Sequence, residues 1–247
     1  MLYFSGTGNS KYIAELFCRH MDAACHSIEE DTDFEKLIKS NETIGFCYPI
    51  YASRMPRILR EFAVKYMEVL KDKKLIIFCT QALFSGDGAR SFTDIFPRGH
   101  AKVIYAEHFL MPNNICNLFI APIESEKKVK KYIANAERKM PLVCENIKAR
   151  VVKKRGFNVV SRVLGLPQGV FVPVMEWGAK KSVKISRDCT GCGLCVSLCP
   201  MKNLVNENGK IMYKNNCTAC YRCINKCPNK AINVFFKGKI RKQYKGL

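Results

Sequence analysis

Eight of the fourteen cysteines in the 247-residue chain fall into two runs near its C-terminal end. The first reads Cys189-Thr-Gly-Cys192-Gly-Leu-Cys195-Val-Ser-Leu-Cys199-Pro200, the second Cys217-Thr-Ala-Cys220-Tyr-Arg-Cys223-Ile-Asn-Lys-Cys227-Pro228. Each has the spacing C-x2-C-x2-C-x3-C-P. One tight loop of this kind presents three thiolates to a cubane, and the fourth cysteine reaches toward a neighbouring one, so two [4Fe-4S] clusters are expected. A zinc site would use four ligands, commonly as two separated C-x2-C pairs, which three cysteines crowded into one loop do not match. A disulfide framework needs an oxidising compartment, and nothing in the chain suggests export.

The repeat extends beyond the cysteines. An offset of 28 residues carries Thr190 to Thr218, Pro200 to Pro228, Lys202 to Lys230 and Leu204 to Ile232. That pattern describes a duplicated half-domain with approximate two-fold symmetry. The segment from Val183 to Phe236 resembles the bacterial two-cluster ferredoxins. The resemblance implies that Cys189, Cys192, Cys195 and Cys227 hold one cluster, and Cys217, Cys220, Cys223 and Cys199 the other. So small a domain buries too little apolar surface to fold alone, and without its clusters it is expected to be largely unfolded. Gly191 and Gly193 would allow close backbone approach at the first cluster. Tyr221 and Arg222 in the second loop read as surface packing, or more sharply as residues that tune exposure or meet a partner.

A second chemical signal lies at the other end of the chain. The apolar run 1–4 leads into Ser5-Gly6-Thr7-Gly8-Asn9-Ser10 and then a helical pattern with Ile13, Leu16, Phe17 and His20 on one side. A polar glycine loop opening a helix offers backbone N–H groups, hydroxyls and a helix dipole to a phosphate. The Walker A spacing is absent. A dinucleotide fingerprint is weakened by Lys11, which stands where a third small residue belongs, although Glu29 falls near the place of a ribose-binding acid. The loop resembles the [ST]-x-T-G-x-[ST] sequence that holds the FMN phosphate in flavodoxins. Only four residues precede it, so the first strand is expected to be short.

The elements that must position this loop follow in order. Strands are expected near 23–28, 43–48, 74–80 and 102–109, with helices over 34–38 and 57–70 and a long amphipathic helix after 129, kinked or broken at Pro141. Alternating strands and helices predict an α/β fold, a doubly wound five-stranded parallel sheet, with ligands at the carboxyl ends of its strands. By the flavodoxin resemblance, Pro49, Ile50, Tyr51 and Ala52 form one wall of an isoalloxazine site, and Thr80, Gln81, Ala82, Leu83, Phe84 and Gly86 the other. Tyr51 is the first stacking candidate and Phe84 the second; alternatively each packs its loop on its helix. Asp87 reads as a cap or turn residue.

The division expected is a flavodoxin-like domain over 1–149, a basic apolar connector over 150–182 and a small α+β two-cluster ferredoxin domain over 183–247. Phe171, Val172, Val174 and Trp177 in the connector are expected to pack between the domains; the sharper reading is a basic amphipathic membrane contact. Cys18, Cys25, Cys47, Cys79, Cys116 and Cys144 are scattered and read as small apolar side chains. His20, His26, His100 and His108 show no ligand spacing.

The formal charge is +20. Two clusters and a flavin phosphate would bring it to about +14. Such a field speeds encounter with an acidic protein or anionic surface, and no nucleic-acid recognition motif accompanies it. No apolar run is long enough to span a bilayer and no signal-peptide pattern is present, so a cytoplasmic protein is expected. The whole chain resembles fused flavodoxin–ferredoxin proteins. That implies FMN and two [4Fe-4S] clusters. The residues favour a low-potential electron carrier between redox partner proteins, because no acid, base or substrate pocket can be named; the alternative is a flavoenzyme reducing a small acceptor such as a quinone or nitro compound.

Overall fold

The apolar runs of the N-terminal half pair side by side in the computed structural model, which describes residues 1–84, 86–117, 122–236, 238 and 240–247. Their strands are β1 (Leu2–Tyr3), β2 (His26–Ser27), β3 (Thr43–Pro49), β4 (Lys74–Gln81), β5 (Lys102–Leu110) and β6 (Lys153–Lys154), in the order β2-β1-β3-β4-β5-β6. Every pairing is parallel. The connecting helices are α1 (Asn9–Met21), α2 (Phe34–Lys39), α3 (Arg57–Lys65), α4 (Met67–Leu70), α5 (Arg90–Thr93) and α6 (Glu126–Lys148).

Successive strand side chains point to opposite faces, and both faces here are covered. Phe46, Leu75 and Ile77 pack with Leu59 and Ala63 of α3 on one side, while Cys47, Ile76 and Phe78 meet Ile13 and Phe17 of α1 and Met140 of α6 on the other. This two-sided burial is why β3 and β4 read as continuous apolar runs.

The sheet has six strands rather than five. The additional strand, β6, is a pair of lysines joined to Tyr105 and Ala106 of β5. It is held by Glu107, whose fully buried carboxylate takes ion pairs from Lys153 (2.7 Å), Lys139 (2.9 Å) and Arg155 (3.3 Å). Burial alone would push the Glu107 carboxyl up; the Lys153 hydrogen bond and the Lys139 charge outweigh it and hold the group at about 2. Two helix expectations also change. The segment 57–70 divides at Tyr66 into α3 and α4, and α6 runs through Pro141, its neighbours Met140, Val143 and Cys144 being buried against the sheet.

The segment after β6 forms α7 (Val159–Lys181), started by Asn158, whose side chain accepts from the Ser161 N–H at 2.7 Å. A side chain on its Gly165 would run into Asp87, and one on Gly169 into Arg54. Those two residues form an ion pair of 2.6 Å beneath the helix. Glu176 pairs with Arg60 at 2.7 Å. Of the four residues expected between the domains only Val172 is buried; Phe171, Val174 and Trp177 face outward.

The remaining elements are β7 (Lys184–Ile185), α8 (Leu194–Leu198), β8 (Leu204–Glu207), β9 (Lys210–Tyr213), α9 (Arg222–Lys226) and β10 (Ile232–Asn233). β7 pairs antiparallel with β10, and β8 with β9. A small core of Val183, Leu204, Ile211, Ile224, Ile232 and Val234 is surrounded by the cysteines themselves.

Candidate cofactor site

The glycine loop connects β1 to α1. Gly8 adopts φ 107°, a left-handed turn that starts the helix at Asn9. Ser5 Oγ accepts from the Gly8 N–H at 3.0 Å, Ser10 Oγ lies 2.7 Å from Thr80 Oγ1, and Thr7 Oγ1 accepts from Asn114 at 3.0 Å. Three buried hydroxyls are thereby gathered at the N-terminus of a 13-residue helix. Such an arrangement suits a phosphate.

Beside it opens a cavity of about 550 Å³, lined by Ser5, Gly6, Thr7, Asn9 and Ser10, by Pro49, Ile50, Tyr51 and Ala52 after β3, and by Thr80, Gln81 and Ala82 at the end of β4. Leu83, Phe84 and Gly86 are not among its walls. They line a separate cavity of about 430 Å³ with His108, Lys139 and Arg155. Leu83 and Phe84 are exposed, and Ser85 of the same loop lies outside the described residues. Gly8 packs instead against the backbone of Leu247.

Sequence reasoning missed three further walls: Pro112, Asn113, Asn114 and Ile115 beyond β5; Val172, Met175, Glu176 and Ala179 of α7; and Thr218, Ala219, Tyr221, Phe235 and Phe236. The first could have been found, because the end of β5 is another carboxyl strand end. The others come from the far side of the chain and carry no local signal.

Two buried polar atoms in this cavity, Tyr51 Oη and Gln81 Oε1, have no hydrogen-bond partner. A heterocycle with donors and acceptors around its edge would complete both. Burial holds the Tyr51 phenol well above its usual range, so it is a neutral donor.

The cysteines separate into two quartets. Cys189, Cys192, Cys195 and Cys227 line one small cavity, and Cys199, Cys217, Cys220 and Cys223 another. Among the described residues no three cysteine, histidine or acidic side chains converge on a single ion. Thiolates around a cubane stand further apart than ligands of one metal. Backbone N–H groups point at sulfur in repeat-related pairs: Asn203 N–H to Cys199 Sγ and Ala231 N–H to Cys227 Sγ, each 3.3 Å. Burial pushes the Cys220 thiol up to about 12 and the Cys223 thiol well above its ordinary value.

The second quartet adjoins the large cavity. A side chain on Gly6 would collide with the Cys220 carbonyl oxygen. Arg222 clasps the junction, donating to Ser5 O (2.7 Å), Gly6 O (3.1 Å) and Leu198 O (3.1 Å), while Glu29 takes its guanidinium at 2.6 Å and 2.8 Å. Glu29 is therefore an inter-domain anchor and not a cavity wall, and Tyr221 and Arg222 are interior contacts. Arg57 to Asn216 and Tyr244 to Asn9 add further bonds across the join.

Residues 1–155, more than half of the chain, match the flavodoxin domain. The chain belongs to the flavodoxin-domain family. Residues 188–232 match the 4Fe-4S dicluster domain, so this flavodoxin-domain protein is fused to a dicluster ferredoxin domain. Its cofactors are FMN and two [4Fe-4S] clusters, and it is an iron–sulfur flavoprotein of electron transfer. No curated protein matches it. Similar solved structures include the two-electron reduced flavodoxin of Megasphaera elsdenii, 21% identical over 56% of this chain and 96% of its own, TM-score 0.37. A WrbA-like flavodoxin from Agrobacterium tumefaciens is 17% identical over 60% and 96%, TM-score 0.41. An archaeal flavodoxin is 16% identical over the same shares, TM-score 0.38.

Proposed function

We propose that this flavodoxin–ferredoxin protein carries electrons between redox partners across the contact that joins the Cys217–Cys223 loop to the flavin cavity. When bound, FMN exchanges one or two electrons and each cluster exchanges one. The observation that carries the reading is the shared wall: Thr218, Ala219 and Tyr221 of the second cysteine loop line the same cavity as Ser5, Gly6, Thr7, Asn9, Ser10 and Tyr51. Ser5, Thr7 and Ser10 hold the phosphate, Tyr51 and Gln81 meet the polar edge of the ring system, and Ile50, Ala82 and Val172 exclude water. Arg222 fixes the two domains so that the distance between centres stays short. The quartet of Cys189, Cys192, Cys195 and Cys227 lies at the more exposed loop and meets the external partner. The basic surface favours an acidic partner protein, and the thiol-rich sites suit the cytoplasm.

A second reading, reduction of a small acceptor, draws on the 430 Å³ cavity, which shares Gln81 with the flavin cavity. Rapid mixing of the anaerobically reduced holoprotein with an acidic ferredoxin, a quinone and a nitroaromatic separates the two. Fast, salt-sensitive transfer to the ferredoxin supports the carrier. Fast oxidation by a small acceptor alone replaces it with the enzyme.

A further inference from the structure

The helix α7 turns its apolar side the wrong way for an ordinary surface helix. Its inner face, with Gly165, Val172 and Ala179, rests on the flavin-cavity loops and the cluster domain. Its outer face repeats Val159, Val163, Leu166, Val170, Val174 and Trp177 at intervals of three and four residues, and all but Leu166 are 60–76% exposed. At 1.5 Å per residue the stripe is about 27 Å long. Exposed apolar faces of that extent mark an interaction surface.

Charge selects the occupant. Arg162 and Lys180 stand five helical turns apart on one edge of the stripe. Lys181 closes its end, with its ammonium 4.5 Å from the Trp177 ring centroid. The exposed Lys154 precedes its start, and the outer face carries no acid. A second copy would bring the same cations and a strongly positive chain against the first. A protein core interface would leave a ridge this uniformly apolar without polar groups to orient it. A negatively charged bilayer surface satisfies both the stripe and its cationic border. Among the described residues no helix is long and apolar enough to cross a membrane, so the contact would be parallel to the surface.

We infer that α7 is an in-plane anchor that seats the holoprotein on anionic lipid, with the flavin cavity directly behind it. This does not depend on which redox partner the protein serves. Trp177 is the chain's only tryptophan, so its emission reports the contact. The experiment is flotation of the anaerobic holoprotein with vesicles of phosphatidylcholine alone or with 30% phosphatidylglycerol, together with Trp177 fluorescence. Binding to the anionic vesicles, a blue shift of emission and at least tenfold weaker binding of the Val170→Asp/Val174→Asp variant with unchanged flavin and iron content are expected. Absence of vesicle binding overturns the inference. Equal binding by the variant also overturns it, assigning the affinity to general basic charge. So does a concentration-dependent dimer with shifted emission and no lipid effect, which would make a second copy the occupant.

Discussion

The loop Cys189–Cys195 and its copy Cys217–Cys223 share residue spacing and backbone twist but not surroundings. Gly191 and Gly193 have φ 68° and 77°; 28 positions on, Ala219 and Tyr221 have φ 52° and 60°. The left-handed conformation costs a residue with a side chain about 1 kcal/mol. In the first loop glycine avoids that cost, and Cys192 and Leu194 are exposed. In the second, Cys220 and Tyr221 are buried, and Ala219 and Tyr221 form part of the flavin cavity. A duplicated motif has thus been divided into an exposed loop and an interior contact, with backbone strain accepted where the side chain closes the cavity.

The largest effect expected comes from crossing the quartets. Cys199→Ser, although in the first motif, should remove the second cluster, halve iron and acid-labile sulfide, and slow flavin reduction at least 100-fold. Cys227→Ser should halve the iron equally yet leave the inner contact in place. Iron assays with stopped-flow flavin absorbance check both; equal flavin kinetics in the two variants would break the comparison.

Next comes the clasp. Arg222→Ala removes three carbonyl contacts and leaves Glu29 without its partner, so stability should fall by about 2 kcal/mol and flavin reduction should slow, measured by thermal unfolding and stopped flow. Smaller still is the glycine contrast: Gly193→Ala should cost about 1 kcal/mol with FMN retained, whereas Gly6→Ala, facing Cys220, should weaken FMN retention as well.

Acid gives the mildest effect near neutrality and acts away from both loops. Burial, then the Arg155 charge, lowers His108 from 6.5 to about 4, so its contribution is full above about 6.5 and is lost as pH falls through 4. Glu107, held at about 2, contributes fully above 4.5 and loses that contribution as pH falls through 2. Denaturant midpoints should therefore decline in two successive windows, and His108→Asn should erase the upper one.

Much of the site could be read along the chain because its bonds are local. Twelve consecutive residues define each cysteine run, and six define the glycine loop that opens α1. The walls after β3 and β4 were implied by the flavodoxin resemblance, but Leu83, Phe84 and Gly86 line the neighbouring cavity, since strand-end position does not say which way a loop folds. Two lysines do not read as a strand, and β6 exists because a buried Glu107 collects three cations, Lys139 from α6 and Lys153 and Arg155 from β6 and the residue after it.

By itself, the sequence determined the redox chemistry and the two folds, because cluster ligation depends on cysteine spacing and a sheet buried on both faces depends on apolar runs. Tertiary structure alone decided which cysteine quartet adjoins the large cavity, what covers that cavity and what holds the domains together. Arg222 lies 217 positions from Ser5, and Gly6 meets Cys220 through a backbone collision that only glycine avoids. Complementarity of that kind is a property of two surfaces brought together, and no local pattern encodes it.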